Sequence, residues 1–281
     1  MNGGIPEISN IEQPRLWRLA LQLEPELLRA VMWSTVEDST LVQFSLPLDP
    51  GASGHKALEE AVYAAPVLLS DFGRVDVVVR GNRYLVAPTV LGSDLGAEAL
   101  AYCCLSDSED ADTVMTDHIE ASGCDIVWAL DEGTSGFLAR TFRNPAVMSH
   151  MTPLLRYFGR KGVLGHSARA YAHFSECPGR READVIVYGP DGKLAMAATH
   201  LIGSEDDALY YILAGMQEAG LDPHNDEVLL CGNSAVRDAV MPRLRRYAAN
   251  AMPVIFPSAA YRAGRESLRA PFPLVILPLC E

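Results

Sequence analysis

A chain of 281 residues, 49% hydrophobic and 21% charged, has the make-up of an ordinary globular protein, long enough for one large domain or two smaller ones. The formal net charge of -13 argues against a nucleic-acid partner, because binding a phosphate backbone needs clustered Lys and Arg. The one basic cluster, Arg237, Arg243, Arg245 and Arg246, reads as the solvated face of a helix.

Residues 1–14 read as a polar tail. Three strand patterns follow. Leu16 to Leu23 has two alternating sets that are both partly apolar, as in a strand covered on both faces; Leu27 to Ser34 and Thr40 to Leu46 come next. Gly51 to Gly54 breaks the pattern, and His55 to Leu69 reads as a helix with Leu58, Val62, Ala65 and Leu69 on one face, kinked or ended at Pro66. Arg74 to Arg80 is an apolar strand, and Gly81-Asn82 reads as a hairpin turn into Tyr84 to Ala87. A helix at Leu95 to Leu105, an acidic loop at Ser106 to Asp112 and a strand pair, Val114 to Ile119 with Asp125 to Leu130, lie beyond it. A helix at Thr134 to Phe142, a short strand at Ala146 to Met148 and a helix at Met151 to Arg160 complete an insertion in a first half of residues 15–165.

The second half, residues 166–281, repeats the opening. Strands are predicted at Arg169 to Ser175, Ala183 to Tyr188 and Lys193 to Ile202. Ser204 is placed to cap a helix over Asp206 to Ala219, with acids in its first turn and Gly220 beyond its end. Glu227 to Cys231 is a buried strand, Gly232 a turn, Ala235 to Tyr247 a helix and Pro271 to Leu279 a final apolar strand. Three meandering strands, a helix and a further strand thus occur twice. That order is characteristic of ribonuclease-H-like domains, and two in tandem make the actin-like α/β architecture, with mixed sheets and a central cleft.

Particular residues carry a family resemblance. The runs Ala57-Leu58-Glu59-Glu60-Ala61-Val62-Tyr63, Leu68-Leu69-Ser70-Asp71-Phe72 and Arg74-Val75-Asp76-Val77 resemble a bacterial family, domain of unknown function 3822. So do Thr152-Pro153-Leu154-Leu155-Arg156-Tyr157-Phe158, the Cys231-Gly232 turn and the closing Leu277-Pro278-Leu279-Cys280-Glu281. The resemblance implies an actin-like ATPase fold and lends no catalytic residues.

In actin, sugar kinases and heat-shock chaperone ATPases, an Asp-x-Gly signature at the first hairpin of each half serves magnesium and the phosphates. Here the first hairpin is Leu23-Glu24-Pro25-Glu26, with no glycine and with a proline that offers no N–H. The second, Ser175 to Arg181, holds Glu176, Pro178 and Gly179 out of the family order. A third signature, a strand ending in Gly-Gly before a helix, cradles adenosine. Gly232, Asn233 and Ser234 resemble it, with Asn in place of the second glycine. These three residues are the candidate nucleotide or ligand cleft, and tight helix–strand packing at Gly232 is the competing explanation.

No catalytic or metal constellation is expected. Gly165-His166-Ser167-Ala168-Arg169 lacks the last glycine of a nucleophile elbow, Asp107 to Asp112 lacks the frame of a calcium loop, and the seven histidines have no ligand spacing. Cys103, Cys104, Cys124, Cys177, Cys231 and Cys280 are scattered, as reduced cysteines of a cytoplasmic protein are. Residues 1–13 lack the features of a signal peptide, and the longest apolar run, Phe272 to Cys280, is too short for a membrane helix. The expectation is a cytoplasmic, non-catalytic actin-like protein with no cofactor, acting on a protein partner or small ligand and on neither nucleic acid nor membrane. The alternative is a divergent ATPase or small-molecule kinase that uses ATP and magnesium.

Overall fold

The computed structural model describes residues 5–6, 11–81, 83–105, 112–163, 168–256 and 264–280. The period-two patterns at the start become β1 (Trp17–Glu24), β2 (Leu27–Ser34) and β3 (Val42–Pro47), an antiparallel meander. Helix α1 (Gly54–Ala64) buries Leu58, Ala61 and Val62 and gives way to a 3-10 turn at Pro66–Leu69. Pro66 removes the N–H that a further helical turn would need. Leu69, expected on the buried face, is exposed because the helix has already ended.

Strand β4 (Arg74–Val79) returns parallel to β1, and β8 (Ala146–Ser149) is parallel to β4, giving the sheet order β3-β2-β1-β4-β8. Between them lies a three-stranded antiparallel layer, β5 (Tyr84–Pro88), β6 (Asp112–Ile119) and β7 (Cys124–Asp131), in the order β5-β7-β6. Helices α2 (Thr89–Leu95), α3 (Ala97–Leu105) and α4 (Glu132–Thr141) accompany that layer, and α5 (Met151–Val163) follows β8.

The second sheet repeats the first strand for strand. Strands β9 (Arg169–Cys177), β10 (Arg180–Tyr188) and β11 (Leu194–Leu201) meander. Helix α6 (Glu205–Glu218) leads to β12 (Glu227–Gly232), parallel to β9, and α7 (Ser234–Leu244) leads to β13 (Asn250–Pro253), parallel to β12. The order β11-β10-β9-β12-β13 matches β3-β2-β1-β4-β8 element by element. The four strands predicted in this half, Arg169 to Ser175, Ala183 to Tyr188, Lys193 to Ile202 and Glu227 to Cys231, share this one sheet. Ser204 caps α6 in a reciprocal box with Asp207.

Helix α5 packs between the halves. Phe158 stacks on Tyr171 of β9 at 4.0 Å between ring centroids and on Phe272 at 6.0 Å. Phe272 opens α8 (Phe272–Ile276), whose Leu274 and Val275 lie with Ala20, Val31 and Val78 of the first sheet.

Two sequence expectations change, and two elements went unpredicted. Pro271 to Leu279 is helical: all five residues of α8 are buried, so no period distinguishes helix from strand, and Pro273 sits in the first turn where its missing N–H is tolerated. No hairpin joins β4 to β5, because β4 pairs with β1 and β8 while β5 pairs with β7; Asn82 of the expected turn lies outside the described residues. The helix predicted at Leu95 to Leu105 forms as α3 from Ala97, after Gly96 at φ 81° ends α2, an element the sequence reading did not predict. The short β13 carried no sequence signal of its own. Residues 106–111 of the acidic loop lie outside the described residues.

Candidate functional site

Gly232 closes β12 with φ 88°, Asn233 caps α7 and Ser234 is its exposed first residue. A Cβ on Gly232 would stand 2.1 Å from the carbonyl oxygen and 2.7 Å from the nitrogen of Phe174 in β9. Both are backbone atoms, so the glycine allows two chains to approach where no side chain fits. The Asn233 N–H donates to the Phe174 carbonyl at 2.7 Å. Its side-chain oxygen accepts from Val236 N at 3.1 Å, while Nδ2 donates to Glu176 Oε2 at 3.0 Å. The turn is thereby tied to the second hairpin.

The two hairpins also meet each other. Each turns on a proline, Pro25 in the first and Pro178 in the second, with Gly179 at φ 69°. Cys177 Sγ donates to Glu24 Oε2 at 3.0 Å, and Arg29 Nη2 donates to the Glu176 carbonyl at 2.9 Å. Glu24 is buried and accepts at Oε1 from Gln22 Nε2 at 2.5 Å and from Arg29 Nε at 3.0 Å. Burial and the adjacent Glu24 push the Cys177 thiol up to about 12, so it is a donor here and not a nucleophile.

Behind the hairpins lies a buried charge network that joins the halves. Arg80, at the end of β4, donates from Nε to Glu182 Oε2 at 2.7 Å and from Nη2 to both oxygens of Asp184 at 3.1 and 3.0 Å. Burial alone would lower its pKa, but Asp184 and Glu182 reverse that, and the guanidinium stays charged. Arg180 Nη2 holds the other oxygen of Glu182 at 2.5 Å.

Asp184 is fully buried. It accepts from His173 Nδ1 at 2.8 Å and Thr199 Oγ1 at 2.7 Å, and His150 Nε2 lies 3.3 Å away. Burial raises its pKa, yet Arg80 and then His150 hold it well below the usual carboxylate range. Burial lowers the pKa of His173 despite Asp184. Thr199 has one hydroxyl proton and gives it to Asp184, so Tyr84 O–H at 2.8 Å and His150 Nε2–H at 3.0 Å both donate to Thr199. Residues of β4, β5, β9, β10 and β11 and of the β8–α5 junction thus share one network.

Sequence reasoning placed Arg80 and Asp184 inside apolar strands, left Glu182 just ahead of the second of them, and assigned all three nothing. A signal was present: Glu182 and Asp184 are two residues apart in a strand and must share a face, and that face is buried. His150 and His173 are buried and hydrogen-bonded. Of the basic cluster, Arg243 pairs with Asp206 at 2.6 Å and Arg245 donates to the Ala251 carbonyl at 3.2 Å. Residues 165–167 of the elbow-like run lie outside the described residues. Among the described residues no group of three or more His, Cys, Asp or Glu could hold a metal ion, and no helix is long and apolar enough to cross a membrane.

A Bacteroides thetaiotaomicron protein with an actin-like ATPase fold and unknown function is similar at a TM-score of 0.76 and 20% identity, over 99% of this chain and 100% of that one. The PilM–PilN type IV pilus biogenesis complex is similar at 0.46 and 13%, over 94% and 98%. The AlfA filament bound to AMPPNP is similar at 0.40 and 8%, over 89% and 94%. No curated protein sequence matches. The chain has an actin-like ATPase fold, with which the duplicated strand order of the two sheets agrees. The family described as "Protein of unknown function (DUF3822)" matches residues 7–251, and the chain belongs to that family.

Proposed function

We propose that this protein keeps the actin-like fold as a non-catalytic binding scaffold, acting in the cytoplasm on a protein partner or small ligand. The observation that carries the reading is the direct closure of one hairpin on the other. Glu24 is bonded to Cys177, Arg29 to the Glu176 carbonyl and Arg80 to Glu182 and Asp184, across the place where actin-like ATPases hold their phosphates. The residues fit a magnesium triphosphate poorly. Glu24, Glu176, Glu182 and Asp184 are each engaged by a donor from the protein, and each hairpin turns on a proline with no N–H to offer a phosphate.

Thermal-shift and calorimetric titrations with magnesium-ATP, magnesium-ADP and adenosine test this. A ligand at about a hundred times its Kd stabilises the folded state by about 2.7 kcal/mol, which such measurements resolve. No saturable binding in the cleft is expected. Sub-millimolar magnesium-ATP affinity with turnover would establish the divergent ATPase or kinase instead.

A further inference from the structure

At the opposite end of the first sheet from the hairpins, the amino ends of the parallel strands β1, β4 and β8 surround a depression of about 600 Å³. Arg15, Arg74 and Arg143 line it together with a single acid, Asp71. Arg74 Nε is bonded to the buried Asp76 at 3.1 Å, which leaves Arg15 and Arg143 facing Asp71, a local excess of positive charge in a chain of net charge -13. We propose that this depression binds a small organic oxyanion with two or more negative charges, a phosphate ester or a polycarboxylate.

The arginines are set in place by the fold. Gly73 lies so close to the chain before β1 that a Cβ would fall 2.2 Å from the Arg15 carbonyl oxygen, and its N–H donates to the Trp17 carbonyl at 3.0 Å. Arg143 precedes Asn144, whose φ of 47° turns the chain from the end of α4 into β8. Asp71 then holds the two side chains toward one another. Its Oδ2 accepts from Arg15 Nε at 2.8 Å, and its Oδ1 lies 3.9 Å from Arg143 Nη1, beyond hydrogen-bond distance.

The donors left over point to the ligand class. Among the described residues Arg15 makes only the Nε bond, and the Arg143 guanidinium makes none. Both side chains are about three-quarters exposed, so a ligand can displace their water. A guanidinium presents paired N–H groups that match carboxylate and phosphate oxygens, whereas one exposed carboxylate satisfies only part of that capacity. The volume suits a small molecule, and Phe72, Val75 and Ala146 give the lining an apolar part for a carbon skeleton.

The site is separate from the hairpins, and the two readings fail independently. The test is calorimetric titration of the full chain at low ionic strength with pyrophosphate and, separately, with citrate. The expected result is saturable one-site binding of at least one of them below about 1 mM, with a loss of about tenfold or more in Arg143→Ala and in Arg15→Ala. Citrate alone identifies a polycarboxylate site, and pyrophosphate alone a phosphate-group site. Asp71→Asn removes the competing carboxylate and should tighten binding severalfold, a gain that generalised loss of structure cannot produce. Arg237→Ala, on α7, should leave binding unchanged. The same panel separates the sites: nucleotide binding lost in Arg143→Ala belongs to this depression and not to the cleft. Failure of both anions to saturate, or equal affinity in Arg143→Ala and the unmodified chain, would overturn the proposal.

Discussion

Replacing Gly232 asks whether the glycine serves packing or a ligand. At φ 88° any residue with a Cβ is strained, and a left-handed conformation costs about 1–2 kcal/mol. The new Cβ would also overlap Phe174 O at 2.1 Å and Phe174 N at 2.7 Å. These are backbone atoms of a central strand, so the overlap can be relieved only by parting β12 from β9, an overpacking term of about 1–3 kcal/mol. Gly232→Ala should therefore destabilise by about 2–5 kcal/mol, and Gly232→Val by at least as much. For a chain of this size that lowers Tm by about 4–15 °C. Gly232→Asn separates the two contributions, since Asn tolerates positive φ but carries the same Cβ; it should recover part of the strain term, keep the overlap and so be less damaging than Ala. Melting temperature and nucleotide affinity are measured on the same samples. A variant that kept its Tm but lost tight ATP binding would refute the packing argument and assign the glycine to a ligand.

Three further outcomes are expected. Arg80→Met leaves Glu182 and Asp184 buried without their shared cation and should cost about 3–5 kcal/mol in urea unfolding; a loss under about 1 kcal/mol would show that water reaches the network. The pKa of His173 is lower folded than unfolded, so the unfolded chain takes up a proton first as pH falls. Stability should decline below about pH 6.5, and denaturant midpoints at successive pH values should show a shallower decline in His173→Gln. Asp184, also depressed, adds a second loss as pH falls through and below about 4, while Asp117, whose pKa burial raises, works in the opposite sense. Ser204→Ala removes one half of the capping box on α6 and should cost about 1 kcal/mol, read as a shift in denaturant midpoint at unchanged slope.

What was legible in the sequence is what short stretches of chain decide. The meanders β1–β3 and β9–β11 follow from alternating apolar residues, the start of α6 from Ser204 and the acids behind it, and the β12–α7 junction from Gly232 and Asn233. Because the same order of elements occurs twice, the duplicated fold could be read without coordinates. The rest rests on partners far along the chain. Gly81 marks a turn, but hydrogen bonding to β1 and β8 assigns β4 to one sheet, and pairing with β7 assigns β5 to another. Residues 272–276 are buried all round, which erases the period that would separate helix from strand. The site shows the same division. Gly232 and Asn233 advertise a turn locally, whereas Arg80 and Asp184 stand 104 residues apart and each reads alone as a charge in an apolar strand. Only tertiary structure decides that they neutralise one another, because a buried charge is tolerable when its counter-charge is brought to it, and that partner is supplied by the packing of one half on the other.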